Sequence, residues 1–257
     1  MIALVVPIYN EYAFLPRCLE SIANQTIPFD EVILIDDASD DGSLQIAHNY
    51  AYDNQWRLIE NTKNMGVGHA RNQGIEMASG DYIAFLDSDD ALNTSAHEAM
   101  LNAIEAHPEA EIIQFDHTRI VNGAKPPIPN EPRFYDFKQG IKSAPSFWFY
   151  VWNKIYKREL IKDQRFCGIQ FGEDEAFNLD LLLNGAKIYC DQGETVIKHF
   201  DNANSLAHLN GYAGIKAQDD YLNSLLTRYH EPWQQKTIRE LIENHRASKT
   251  YKSRGWK

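Results

Sequence analysis

Asp87-Ser88-Asp89 stands directly after the apolar run Tyr82-Ile83-Ala84-Phe85-Leu86. In an extended segment Asp87 and Asp89 face one side together and Ser88 faces the other. Two carboxylates held that close repel unless a cation lies between or beside them. Hard oxygen ligands of this kind suit Mg2+ or Mn2+, which keep open positions for phosphate oxygens. An isolated Asp-x-Asp is short and common, and by itself reads as a solvated turn that caps the next helix. Its setting argues otherwise. Asn10 follows the apolar run Ile2 to Ile8, and Asp36-Asp37 follow Glu31 to Ile35. Each polar group lies just past the C-terminal end of an apolar strand, where open α/β sheets bind ligands.

Two further groups could act there. Arg71 lies one turn into a helix predicted after the Gly66/Gly68 loop, where it would present charge and directed donors to a diphosphate. In Gly172-Glu173-Asp174-Glu175 a carboxylate could remove a proton from a hydroxyl. An acidic first helical turn is also ordinary macrodipole design.

The elements that must position these residues follow from hydrophobic period and punctuation. Continuous apolar runs predict strands at Ile2 to Ile8, Glu31 to Ile35, Trp56 to Glu60, Tyr82 to Leu86, Glu111 to Phe115 and Ala186 to Cys190. Helical spacing places helices around Phe14 to Ile22, Ser43 to Tyr52, Gly68 to Ala78, Ser95 to Ala106 and Glu173 to Leu183, with a helical hairpin about Pro232. Strands alternating with helices over the first ~115 residues predict an α/β fold with a mixed, mostly parallel sheet flanked by helices. Three parts are expected: a ligand-binding half at 1–118, a second half of the same domain at 119–211, and a C-terminal helical extension at 212–257. Lys125 to Pro132, with four prolines, reads as an extended crossover.

Composition narrows the function. The 257 residues, 44% hydrophobic and 12% aromatic, suit a folded globular protein. A net charge of −11 is a poor footprint for a nucleic-acid binder, so no nucleic-acid partner is expected. An acidic protein that binds a diphosphate must neutralise it locally with a cation or a placed Arg or Lys. Three scattered cysteines, Cys18, Cys167 and Cys190, suggest buried thiols in a reducing cytoplasm. No apolar run approaches the roughly 20 residues that span a bilayer.

The chain also carries an ordered series of blocks: Val5-Val6-Pro7-Ile8-Tyr9-Asn10-Glu11, Ser21-Ile22-Ala23-Asn24-Gln25-Thr26, Glu31 to Ser39, Asn64-Met65-Gly66, Ala70 to Ile75, and Ala78 to Asp90. This series closely resembles the family 2 glycosyltransferases of the GT-A fold, strongly over about the first 95 residues and more loosely at Trp152 to Phe177. The resemblance implies a Rossmann-like GT-A sheet and a metal-dependent, inverting transfer of a sugar from a nucleotide-diphosphate sugar, UDP-linked by expectation, to a hydroxyl acceptor. It implies that Pro7, Tyr9 and Asp37 contact the nucleotide base, and a carboxylate at Asp37 would accept from a uracil imino N–H. Arg71, Asp87 and Ser88 join them as donor contacts. Asp89 is implied as a direct metal ligand, with Asp87 on the donor or the metal and His199 as an additional ligand, for Mn2+ or Mg2+. Asp174 takes the place of the catalytic base. Glu173, Lys154 and Trp152 are expected toward the acceptor, a glycan or lipid-linked molecule of a bacterial surface polysaccharide. Ala38 departs from the pattern, standing where Gly is frequent.

Rival readings remain in view. A nucleotidyltransferase would normally show a Gly-rich basic loop near the first strand, which Pro7-Ile8-Tyr9-Asn10 is not. A noncatalytic nucleotide-sugar or glycan-binding relative would have no turnover for Asp174→Asn to remove. The basic stretch from Arg246 to Lys257 could meet anionic lipid at the inner face of the cell membrane, or be a frayed, solvated terminus.

Overall fold

The computed structural model describes residues 1–120, 133–135, 138, 149–168, 172–200 and 211–253, some of them by backbone alone. The sequence's first strand is the sheet's first strand, β1 (Ile2–Ile8), buried along its whole length. A strand covered on both faces needs no polar alternation, which is why the apolar run is continuous. Then follow α1 (Leu15–Ala23), β2 (Glu31–Asp36), α2 (Ser43–Asn54), β3 (Arg57–Glu60), α3 (Val67–Met77), β4 (Tyr82–Phe85), β5 (Ala91–Leu92), α4 (Ala96–Ala106) and β6 (Ile112–Ile120). The second half supplies β7 (Arg133–Tyr135), β8 (Lys154–Lys157), α5 (Arg158–Ile161), α6 (Glu173–Leu183), β9 (Ile188–Phe200), α7 (Gly211–Arg228) and α8 (Pro232–Ser253).

Among the described residues one sheet runs β3-β2-β1-β4-β8-β6-β9-β5, with β7 also paired to β9. The block β3-β2-β1-β4 is parallel. β8 lies antiparallel between β4 and β6, and β6 is parallel to β9. The expected mixed GT-A-like architecture is the observed one. Because β2 and β3 lie on one side of β1 and β4 on the other, the chain reverses its order at β1/β4. That reversal opens a crevice beyond the strand ends.

Alternation along β1 divides the core in two. Ile2, Leu4, Val6 and Ile8 pack with Leu15, Leu19 and Leu34 on one face, while Ala3 and Val5 pack with Ile33, Phe85, Tyr156 and Phe177 on the other. Each such fully buried aliphatic or phenyl side chain contributes roughly 1.5–3 kcal/mol. A third cluster joins Leu179 and Leu183 of α6 to Leu222, Leu225, Ile238 and Leu241 of the α7–α8 hairpin. The helix that carries Asp174 is therefore pinned from both sides. Among the described residues no helix is long and apolar enough to cross a membrane. The proline-rich stretch 125–132 lies outside the described residues, as do the side chains of the basic stretch 246–257 and of His199.

Candidate active site

β4 ends at Phe85, and Leu86 N still donates to Val5 O at 3.0 Å before the strand turns away. Val5 thus directs its peptide groups to β4, and Pro7, two residues on, directs its ring nitrogen the same way. The missing N–H of Pro7 falls where no β4 partner remains, which is how a central strand tolerates proline. Pro7 itself is buried and paired with Ile35, while Tyr9 beyond it is 45% exposed at the crevice mouth.

Asp87 to Asp90 form a tight turn, with Asp90 N donating to Asp87 O at 3.0 Å. This corrects the expectation of an extended segment with Asp87 and Asp89 side by side. The chain must swing at once from β4 into the short β5, so it turns. The turn does not cap α4 either, since the residue before that helix is Ser95. It is tied down from α1: Arg17 Nη2 donates to Asp89 O at 2.5 Å and Cys18 Sγ to Asp87 O at 3.7 Å. Ser88 is buried beneath it and Asp90 fully so. The carboxylates of Asp87, Asp89 and Asp90 all act on Glu11, the residue after Asn10. Burial first, then the charges of Asp89, Asp41, Asp87 and Asp90, push Glu11 up to about 7. Nothing local in the sequence around Glu11 signals its place in this acidic ring.

The centre of the site is Arg71, only 3% exposed. Its Nη2 donates to Asp87 Oδ1 at 2.8 Å, and its Nη1 to Asp174 Oδ1 at 2.6 Å and Glu173 Oε1 at 3.1 Å. Its guanidinium carbon stands 5.4 Å from the centre of the Phe166 ring, which stacks on Phe177 at 4.1 Å. Arg71 was expected to meet a diphosphate; the structure places its terminal donors on three carboxylates. α3 delivers it because Gly74 lets the helix settle on β1. Asn72 exchanges hydrogen bonds of 3.1 and 2.8 Å with the backbone of Phe166. A helix start at Gly172, where φ is 84°, presents Glu173 and Asp174 from the other side. Asp174 Oδ2 accepts from Val151 N at 3.2 Å. One cation against three carboxylates leaves excess negative charge. Burial, with Glu173 and Asp87 adding to it, outweighs Arg71 and pushes Asp174 up to about 7.

The other predicted residues divide. Asp37 is 2% exposed, and its carboxylate accepts from Asn61 Nδ2, Met65 N and Gly66 N at 2.7–3.1 Å, so it ties down the Gly66 loop. Trp152 is 4% exposed against the ring of His117; the exposed aromatic is its stacked neighbour Tyr150, at 44%. Lys154 is 1% exposed, with its ammonium turned onto the protein's own oxygens. Among the described residues no group of three His, Cys, Asp or Glu side chains forms a metal cage. Mg2+ and Mn2+ do not require one, since they are commonly held by one or two carboxylates with substrate phosphates completing the shell. Asp89 and Asp87, whose charges add to burial in raising Glu11, would offer such a cation carboxylate oxygens. A cavity of about 300 Å3 lined by Glu111, Leu160, Asp163, Gln164, Leu181 and Asn184 lies at the far end of α6 and holds none of these residues.

Comparison with known proteins gives the family and the fold. The Bacillus subtilis protein called uncharacterized glycosyltransferase EpsJ is 27% identical over 81% of this chain and 63% of its own length. A poly(ribitol-phosphate) beta-glucosyltransferase of Bacillus spizizenii is 32% identical over 73% of this chain and 30% of its own. The chain thus spans less than two thirds of these relatives. S. aureus TarS in complex with UDP-GlcNAc superposes with a TM-score of 0.81 over 96% of this chain and 72% of that one, at 22% identity, which shows a shared fold. Residues 3–165 match the pattern described as glycosyl transferase family 2, which is more than half of the sequence, and the chain belongs to that family.

Proposed function

We propose that the protein transfers a sugar from a UDP-linked donor to a hydroxyl of a glycan or lipid-linked acceptor, with inversion, in the assembly of a bacterial surface polysaccharide. The observation that carries this reading is the single Arg71 guanidinium that joins Asp87 of the donor turn to Asp174 of α6. A donor bound in the β1/β4 crevice would have its diphosphate at Asp87 and Asp89 and its base toward Pro7, Tyr9 and Asp37, over Ser88. Asp174 takes the acceptor's hydroxyl proton as that oxygen attacks the anomeric carbon and the bond to the diphosphate breaks. A carboxylate held near 7 is well matched to this task at neutral pH. Mn2+ or Mg2+ at Asp89 and Asp87 would supply charge stabilisation for the departing diphosphate. Glu173 and the exposed ring of Tyr150 border the acceptor side. His199 is retained as a candidate further ligand. An enzyme that uses nucleotide sugars would work in the cytoplasm, where they are made, and the basic stretch at 246–257 would give it peripheral membrane contact. Residues 1–118, 119–211 and 212–257 serve as donor half, acceptor half and helical extension.

Thermal denaturation with UDP, UDP-sugars and GDP-mannose, each with and without Mn2+, tests the donor class. Ligand at a hundredfold over its Kd stabilises by about 2.7 kcal/mol. UDP compounds with Mn2+ should therefore raise Tm by several degrees, and EDTA should abolish the shift. Absence of any nucleotide-dependent shift overturns the reading. Asp174→Asn should keep the shift and lose UDP release; retained turnover would remove Asp174 from the role of base.

A further inference from the structure

Lys154 is fully buried at the start of β8, between β4 and β6, and the proposed chemistry does not use it. Removing an ammonium from water costs several kcal/mol, so its retention calls for a structural or chemical return. Burial pushes this amine down to about 7, while Cys190 and Asp174 pull it back up. Its Nζ donates to Tyr150 O at 2.5 Å and to Asn153 Oδ1 at 2.8 Å. Asn153 is itself anchored, its Nδ2 donating to Phe115 O at 3.3 Å.

The Tyr150 carbonyl and the Val151 N–H belong to one peptide group. Lys154 holds the oxygen edge of that plane, and Asp174 Oδ2 accepts from its N–H edge at 3.2 Å. Because the peptide is rigid and planar, fixing the carbonyl fixes the direction of the N–H. In its protonated form the amine on the oxygen also polarises the group and strengthens its N–H as a donor. We infer that Lys154 is a positioning residue for Asp174, acting through the Tyr150–Val151 peptide to aim the carboxylate at the acceptor. This rests on the reading of Asp174 as base. Asn178 steadies the same strap, donating to Phe149 O at 2.7 Å and to Asp174 O at 3.0 Å. The titratable and charged groups around Asp174 are Arg71 from α3, Asp87 from the end of β4, Glu173 from α6 itself, and Tyr156 and Lys154 from β8. Of these, Lys154 works through a peptide rather than by contact.

The test needs no knowledge of the acceptor. Full-length protein labelled with 13C at Asp carboxyls is titrated by NMR, with Asp174 assigned by its loss in Asp174→Asn. Lys154→Met keeps the stem volume and removes the ammonium. Asp174 should then titrate at higher pH than in the wild type, because both the cation and the polarised donor are gone. UDP release from whichever UDP-sugar gives the largest thermal shift should fall about 10- to 100-fold, the range expected for a group displaced by a fraction of an ångström to one ångström. The KM for that donor should stay within about twofold, since a positioning loss acts on turnover rather than donor binding. Lys154→Ala should regain turnover with added ethylammonium and not with ethanol. An unchanged Asp174 titration in folded Lys154→Met overturns the inference, as does rescue by ethanol alone. If Lys154→Met fails to fold, Lys154→Ala with and without ethylammonium decides by the same titration. Turnover surviving in Asp174→Asn would instead sink the assignment of the base, whatever Lys154 does.

Discussion

Arg71 carries one positive charge into a buried site and faces three carboxylates there, Asp87, Glu173 and Asp174. Removing one partner of a buried ion pair commonly costs about 3–5 kcal/mol, because the charge left behind has no compensation. In Arg71→Met the stranded groups have an escape, which is to take up protons. The loss of stability should therefore be large at pH 8 and smaller at pH 5, where keeping a stranded carboxyl protonated in the folded chain costs only about 1.4 kcal/mol for each unit by which the pH exceeds its unfolded value near 4. Urea unfolding at the two pH values measures it, and an equal loss at both would count against an electrostatic role. Ala38 presents the opposite situation, a residue without charge whose cost is conformational. Its φ of 65° lies in the left-handed region, which accounts for the glycine that resemblance leads one to expect at this position.

At the scale of elements, the site depends on how closely α3 approaches β1. A Cβ at Gly74 would lie 2.3 Å from Val5 Cγ1 and 2.9 Å from Cγ2. Gly74→Ala should push the helix outward and carry Arg71, one turn earlier, away from Asp87. Overpacking of this kind typically costs 1–3 kcal/mol. Catalytic turnover should fall with it, and Val5→Ala in the same chain should restore most of both losses in a double-mutant cycle. Full activity of Gly74→Ala alone would show that the helix height is not critical. These elements were readable where local pattern suffices: β1 and α6 fall on the residues that the apolar run and the helical period marked. β8 was not, because Lys154-Ile155-Tyr156-Lys157 looks half charged, and it is a strand only through pairing with β4 and β6. The Arg71–Asp174 contact spans 103 residues. Each partner could be named from its own block, but nothing in either block says that they touch. The turn at Asp87 was misread as extended for a related reason, since its shape is set by the distant strand that follows it.

For the whole molecule, the crevice concentrates acid in a protein that is already acidic. Glu11 and Asp174 are both lifted to about 7 from ordinary carboxylate values near 4. Between those limits these two groups hold more protons in the folded chain than in the unfolded one, so their contribution to stability falls as pH rises from about 4.5 to 7. Each such group contributes at most about 1.4 kcal/mol per pH unit. The two differ in what a ligand should do to them. Glu11 is raised after burial by Asp89, Asp41, Asp87 and Asp90, which are the charges a divalent cation at the turn would offset. Asp174 is raised chiefly by burial, with its nearest partners on Arg71, so the cation should leave it largely as it is. Mn2+ with UDP should therefore flatten the decline in Tm between pH 5 and 7.5 without abolishing it. Glu11→Gln should flatten the metal-free curve in the same way and leave little for Mn2+ to add. If the slopes with and without Mn2+ and UDP coincide in the wild type, the cation does not sit at the Asp87–Asp90 turn, and the donor's diphosphate must be neutralised from elsewhere in the crevice.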